Sequence, residues 1–171
     1  RIIRYAFELA VEQQRESVQS VTKSNAMQFS AVFWDEVFDE VSRNFRMLAE
    51  SRGLRLIVRK TDAWVRADRT MLTRILNNLV SNALRYTDEG GVLVGARHQR
   101  SGQVRIDIWD TGHGIAPEHQ TRVFEEFYQV SHEHAHPGER QRGLGLGLAT
   151  VRKLAELLGC RISLGSTPER G

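Results

Sequence analysis

Six large apolar side chains between residues 33 and 49 recur at helical spacing: Trp34, Val37, Phe38, Val41, Phe45 and Leu48. At ~100° per residue they fall within a ~100° arc. A helix of this kind buries one face and needs a second layer to bury it against. The rest of the chain supplies one. Gly53 sits just past the helix end, where a left-handed stop belongs. Residues 54–59 alternate as a strand, and residues 64–67 form a short strand before Asp68, a helix cap. Residues 71–86 read as a second helix with Leu72, Ile75, Leu76, Leu79 and Ala83 as its stripe. After the turn at residues 88–91, strands are expected over 92–97 and 104–109, joined through Ser101-Gly102. A third helix is expected over 144–158, closed by Gly159, and a last strand over 161–164.

The 171 residues suffice for one domain and need no staple. The single cysteine, Cys160, rules out an internal disulfide framework and fits a reducing compartment. No apolar run reaches the roughly 18 residues of a membrane helix. A net charge of +3 gives no reason to expect nucleic acid. Residues 1–23 are polar, and Ile3, Phe7, Ala10 and Val11 share a helical face that decays afterwards. Ser24-Asn25-Ala26-Met27 resembles the remnant of a tobacco etch virus protease site ahead of a start methionine, with coincidence as the other reading. Residues 1–26 are therefore set apart as helical or vector-derived, and residues 27–171 as the domain proper. Residues 128–143 carry almost no apolar side chains and form a long loop.

Three segments carry chemistry. Asn78 and Asn82 are ~40° apart on the second helix, with Arg85 in the same ~60° sector beside the apolar stripe. An amide oxygen suits magnesium, and an arginine beside it neutralises phosphate oxygens. A solvated helix face is the alternative. Asp110-Thr111-Gly112-His113-Gly114 follows a strand directly. Its carboxylate accepts hydrogen bonds only, and can take one from an exocyclic amine such as that of adenine; a plain turn is the alternative. Gly143-Leu144-Gly145-Leu146-Gly147-Leu148 leaves backbone N–H groups free at the start of a helix, which is chemistry for phosphates. It lacks the closing Gly-Lys-Ser/Thr of a P-loop and the dinucleotide spacing.

In this order the segments resemble the catalytic and ATP-binding domain of sensor histidine kinases, in the wider group with the gyrase, chaperone and MutL ATPases. Residues 78–87 are similar to that family's asparagine box, residues 110–114 to its first glycine box and residues 143–147 to its second. Phe124-Glu125-Glu126-Phe127-Tyr128 resembles the phenylalanine box that sets histidine kinases apart. The resemblance covers residues 33–171 and implies an α/β two-layer sandwich of the Bergerat type, a mixed sheet covered on one face by three helices. It implies Mg-ATP as ligand. Asp110 would bind the adenine amine, with Gly112 and Gly114 in the same turn and Tyr86 beside the base. Asn82 would hold Mg2+, with Asn78 nearby and Arg85 near the phosphates. Gly143, Leu144, Gly145, Leu146 and Gly147 would cradle the phosphates. Residues 128–142 would form a lid, with Arg140 and Arg142 as phosphate contacts.

By the same resemblance the phosphoryl group passes to a histidine on a separate dimerisation domain, in the same or a partner chain, and onward to a response regulator receiver domain. No phosphoacceptor segment precedes His98, the first histidine, so the chain is expected to bind ATP without phosphorylating itself. A cytoplasmic location and no contact with membrane are expected. The family's final strand would begin near residues 166–171 and is expected to be truncated. His132, His134 and His136 alternate in the lid, as a metal site, a pH-sensitive element or, more simply, a solvated loop. His113 and His119 are read as packing or surface residues. Three other functions stay open: a conformational ATPase of the gyrase, MutL or chaperone type, a regulatory nucleotide-binding module without transfer, and a serine-directed kinase of the anti-sigma type.

Overall fold

The computed structural model describes residues 30–59, 61, 64–130 and 144–168. In chain order the elements are β1 (Ser30–Phe33), α1 (Trp34–Ser51), β2 (Arg55–Arg59), β3 (Trp64–Ala67), α2 (Arg69–Arg85), β4 (Gly91–His98), β5 (Val104–Asp110), the short α3 (Pro117–Gln120), a 3-10 turn (Arg122–Phe124) and α4 (Gly147–Leu157). The N-terminal segment before Ser30, the lid histidines, Arg140, Arg142 and Gly143 lie outside the described residues.

α1 buries Val37, Phe38 and Val41, as its stripe predicts; Phe45 is half-buried and Leu48 stays 43% exposed, because at the last turn the contact passes to Ala49, which the stripe left out. Gly53 adopts φ +68° and Leu54 N donates to Ala49 O at 2.9 Å, which closes the helix. α2 begins as Asp68 predicts: its carboxylate accepts from Met71 N at 2.8 Å. Its buried face is Leu72, Leu76, Val80, Ala83 and Leu84. The expected stripe is thus rotated. Ile75 and Leu79 are only half-buried, and Val80 and Leu84 are fully buried instead. Apolar residues spread over more than half of the circumference of this helix, so periodicity alone cannot say which part meets the sheet.

The larger sheet has the order β2-β4-β5. β2 runs parallel to β4 with Leu56 opposite Val92, and β4 runs antiparallel to β5 with Val94 opposite Ile108. The sheet is therefore mixed, and β4 places Val92 and Val94 in the core against α1 and α2. α4 packs on α2 and on the 3-10 turn. β1 pairs antiparallel with β3 in a separate ribbon, Val32 opposite Val65. This strand was not expected, because its four residues run straight into the first helix with no turn signal between them.

The strand expected over 161–164 does not form. Arg161, Ile162, Ser163 and Leu164 are exposed and belong to no ladder. Two alternating apolar residues carry strand propensity, but propensity without a paired neighbour does not make a strand. α4 starts at Gly147, three residues later than expected, because Gly145 takes φ +69° and keeps the preceding segment out of the helix.

Candidate nucleotide-binding site

The last two turns of α2 are the hub at which the sequence motifs meet. On one side stands the start of α4. A Cβ added at Gly147 would lie 3.2 Å from Asn78 Oδ1, 3.5 Å from Asn82 Nδ2 and 3.8 Å from Asn82 Oδ1. The first turn of α4, whose leading N–H groups have no partner within the helix, therefore faces both amides. Asn78 Nδ2 donates to Arg74 O at 2.8 Å, which leaves its Oδ1 as the atom turned to Gly147. Asn82 makes no side-chain hydrogen bond among the described residues. Arg85, the last residue of α2, is exposed.

At the C-terminal end of α2 stands the first glycine turn. Asp110 closes β5, and its Oδ1 accepts from Gly112 N at 3.0 Å. A Cβ at Gly112 would overlap Tyr86 O and lie 2.9 Å from Asp110 Oδ1, so only glycine fits there. His113 N donates to Tyr86 O at 3.2 Å. Thr111 Oγ1 accepts from Gly91 N at 3.0 Å and donates to Glu89 O at 2.8 Å. These bonds hold Asp110, Gly112 and Tyr86 together at one end of the hub.

The phenylalanine-containing segment meets the second glycine turn. Phe127 N donates to Gly145 O at 3.1 Å. A Cβ at Gly145 would lie 2.8 Å from Phe127 C and 3.0 Å from Tyr128 O. Phe127 itself has φ +63°, a conformation that non-glycine residues hold only when their surroundings impose it. Leu144 is exposed, while Leu146 N-caps α4 without a side-chain bond.

Several partners had no signal in the sequence. Arg52 Nη1 donates to Leu84 O at 2.6 Å and to Arg85 O at 3.3 Å, a cation at the carbonyl end of α2. Its Nη2 lies 3.9 Å from Asp88, which also meets His113 Nε2 at 2.6 Å. These residues come from three segments, and only the tertiary fold brings them together. His113 is thus fastened at the surface next to the first glycine turn, and His119 meets Tyr128. A cavity of about 230 Å³ lined by Phe124, Arg152, Ala155, Glu156, Cys160 and Ile162 is separate from the hub, and burial pushes the Cys160 thiol up.

The residues at the hub fit magnesium. The glycine at position 147 keeps open a cradle that a Cβ would fill, and two amide oxygens border it. No group of three or more carboxylate, histidine or cysteine ligands occurs among the described residues. Magnesium takes oxygen ligands in an octahedral shell and keeps several of its waters, so an amide oxygen can serve with water and phosphate oxygens completing the shell.

A carboxylate and a glycine turn at a strand end, two amides on a helix and a second glycine turn at the start of another helix define a nucleotide-binding domain of the ATPase type. The chain belongs to the histidine kinase-, DNA gyrase B-, and HSP90-like ATPase family, which it matches over residues 67–171. Within that family its relatives are sensor kinases. The adaptive-response sensory kinase SasA of Crocosphaera subtropica is 31% identical over 143 residues, taking in 82% of this chain and 36% of that protein. The crystal structure of full-length ShkA in complex with AMPPNP is 29% identical, with a TM-score of 0.63 over 80% of this chain and 28% of that one. The nucleotide-free catalytic domain of the histidine kinase ThkA is 26% identical, with a TM-score of 0.64 over 77% of this chain and 82% of that one. The chain thus spans about a third of the length of SasA.

Residues 1–97 also match the isocitrate/isopropylmalate dehydrogenase family. The two matches overlap over residues 67–97, which include the asparagine helix. The solved structures decide between them. A likeness that covers 80% of the chain must take in more than half of residues 1–97, and it is to a histidine kinase. Among the described residues, no helix is long and apolar enough to cross a membrane.

Proposed function

We propose that this domain binds Mg-ATP at the α2 hub and supplies the γ-phosphoryl group to a histidine on a separate dimerisation domain, from which it passes to a response regulator. The observation that carries the reading is the meeting of four motif segments around the last two turns of α2: Gly112 under Tyr86, Gly147 against Asn78 and Asn82, and Gly145 against Phe127. In this reading the Asp110 carboxylate accepts a hydrogen bond from the adenine amine, and Tyr86 flanks the base. Gly112 and Gly114 let the turn close against Tyr86 O and Thr167 O, which sets where Asp110 stands. Asn82, with Asn78 beside it, holds magnesium. When bound, the ion neutralises charge on the phosphate oxygens. Gly145, Leu146 and Gly147 present N–H groups to the phosphates at the start of α4, and Leu144 and Gly143 continue that cradle. Arg85, Arg140 and Arg142 add positive charge. The domain does no covalent chemistry of its own; it orients the γ-phosphate for attack by the partner histidine. In this reading the work is done in the cytoplasm, where ATP is.

The test is calorimetric titration with ATP, with and without magnesium, for this chain and for Asp110→Asn. The amide that replaces the carboxylate turns a donor toward another donor. The reading expects binding that magnesium strengthens and the substitution weakens by about tenfold or more. Absence of binding by the unsubstituted chain overturns it. Transfer is tested by supplying a phosphoacceptor domain with radiolabelled ATP and looking for acid-labile phosphate. Label on serine, or release of free phosphate alone, would favour the other functions of this fold.

A further inference from the structure

The sequence marked His119 as a packing or surface residue, and the structure gives it a partner. His119 Nδ1 and the Tyr128 hydroxyl share a hydrogen bond of 2.6 Å. The Arg122 guanidinium lies over the same tyrosine ring, 4.3 Å from its centroid, a cation–π contact. Tyr128 is thereby held at its hydroxyl and over its ring by the segment formed by α3 and the 3-10 turn. Its backbone is the surface on which the second glycine turn rests, since Tyr128 O and Phe127 C are the atoms a Cβ at Gly145 would strike. The positive φ of Phe127 is kept in place between this tyrosine and the bond from Phe127 N to Gly145 O.

The same end of α3 is tied, through Gln120, to the segment that follows the first glycine turn. Gln120 Nε2 donates to Ile115 O and to Ser166 O, both at 2.9 Å. Ile115 N in turn donates to Ser166 Oγ at 2.8 Å. A Cβ at Gly114 would overlap Thr167 O. A continuous set of bonds therefore runs from the turn after Asp110, through α3, His119 and Tyr128, to Gly145.

We propose that His119 and Arg122 are positioning residues: by holding Tyr128 they set the second glycine turn relative to the first, and so set affinity for the phosphates of the nucleotide rather than for its base. The proposal rests on the nucleotide reading above for its ligand, but its mechanical part does not. Both residues meet Tyr128, and the effect needs no contact of either with the nucleotide. The hydroxyl bond fixes where the ring sits, the ring fixes the backbone of residues 127 and 128, and that backbone fixes Gly145.

The test uses this chain and four variants: Tyr128→Phe, which deletes only the hydroxyl; His119→Leu; Arg122→Ala; and His119→Asn, whose amide reaches where Nδ1 stands. Affinities for ATP with magnesium and for adenosine are measured in parallel, together with thermal unfolding. The expected result is that Tyr128→Phe, His119→Leu and Arg122→Ala weaken ATP by about tenfold and leave adenosine within about twofold, and that His119→Asn restores ATP binding. A loss shared equally by ATP and adenosine, or no loss of either, overturns the proposal. Hydrogen exchange supplies a readout that needs no ligand. Amide protection of Phe127 should fall in Tyr128→Phe, while that of His113 should not change. If the unsubstituted chain binds neither ligand, the nucleotide reading fails, and the exchange result alone decides whether the latch exists. Unchanged protection of Phe127 overturns it.

Discussion

The two glycine turns of the site are built in opposite ways. The turn after Asp110 is fastened by its own hydrogen bonds: Gly112 N to Asp110, His113 N to Tyr86 O, and Thr111 to both sides of the loop before β4. The turn before α4 is held by what packs against it. Gly145 lies on the Phe127 and Tyr128 backbone and Gly147 on the two asparagines. The Leu146 cap makes no side-chain bond. Among the described residues the first turn is thus tied within the protein, which in the proposed reading suits a neutral base recognised by one carboxylate. The second opens a helix whose leading N–H groups have no partner within the helix, which in that reading suits an anion that supplies acceptors.

The comparison can be broken most strongly at Gly112. Gly112→Ala forces a methyl group into Tyr86 O, so it should cost about 2–3 kcal/mol of stability and lower affinity for ATP and adenosine together. Thermal and denaturant unfolding with parallel titrations would check both. Binding of adenosine at full affinity by a destabilised variant would show the first turn to be less rigid than its bonds imply. Removing magnesium with a chelator acts only at the other end. Affinity for ATP should fall by about tenfold, near 1.4 kcal/mol, while adenosine is untouched. An equal fall for adenosine would contradict the division between the turns.

Two smaller effects sharpen it. Thr111→Val removes one bond accepted from Gly91 N and one donated to Glu89 O, and should cost about 1 kcal/mol in urea unfolding with nucleotide affinity changed little. Gly147→Ala should do the reverse. Its methyl group would sit 3.2 Å from the flexible Asn78 amide, so the side chain yields by a few tenths of an ångström and the fold tolerates it. The gain in helix propensity, up to about 1 kcal/mol, offsets the crowding. Stability should therefore hold while ATP affinity falls about threefold, or under 1 kcal/mol.

Local signals located most of what these experiments address. Asp68 caps α2 and Gly53 ends α1 as their residue types predict, because a cap is a contact within one turn of chain. The three chemical segments were legible for a related reason. A glycine that must tolerate a close backbone, or an amide pair four residues apart, is written in spacing alone. Where the signal failed, the missing information lay elsewhere in the molecule. Ile75 and Leu79 match the helical stripe as well as Val80 and Leu84 do, and only the position of the sheet favours the latter pair. Residues 161–164 alternate like a strand, and no neighbouring strand pairs with them.

The same division holds for the site. Residue type and order along the chain determined that Asp110, Asn78, Asn82 and the two glycine turns exist, and which atoms each can offer. They also determined the alternation of helix and strand, since backbone preference and hydrophobic period are properties of neighbours in sequence. Packing decided everything that depends on distance in space. Arg52 caps a helix that ends some thirty residues later, Gly147 lies against Asn78, and His119 holds the tyrosine beneath Gly145. No spacing rule encodes such contacts, because each depends on how whole elements stack once their apolar faces are buried together.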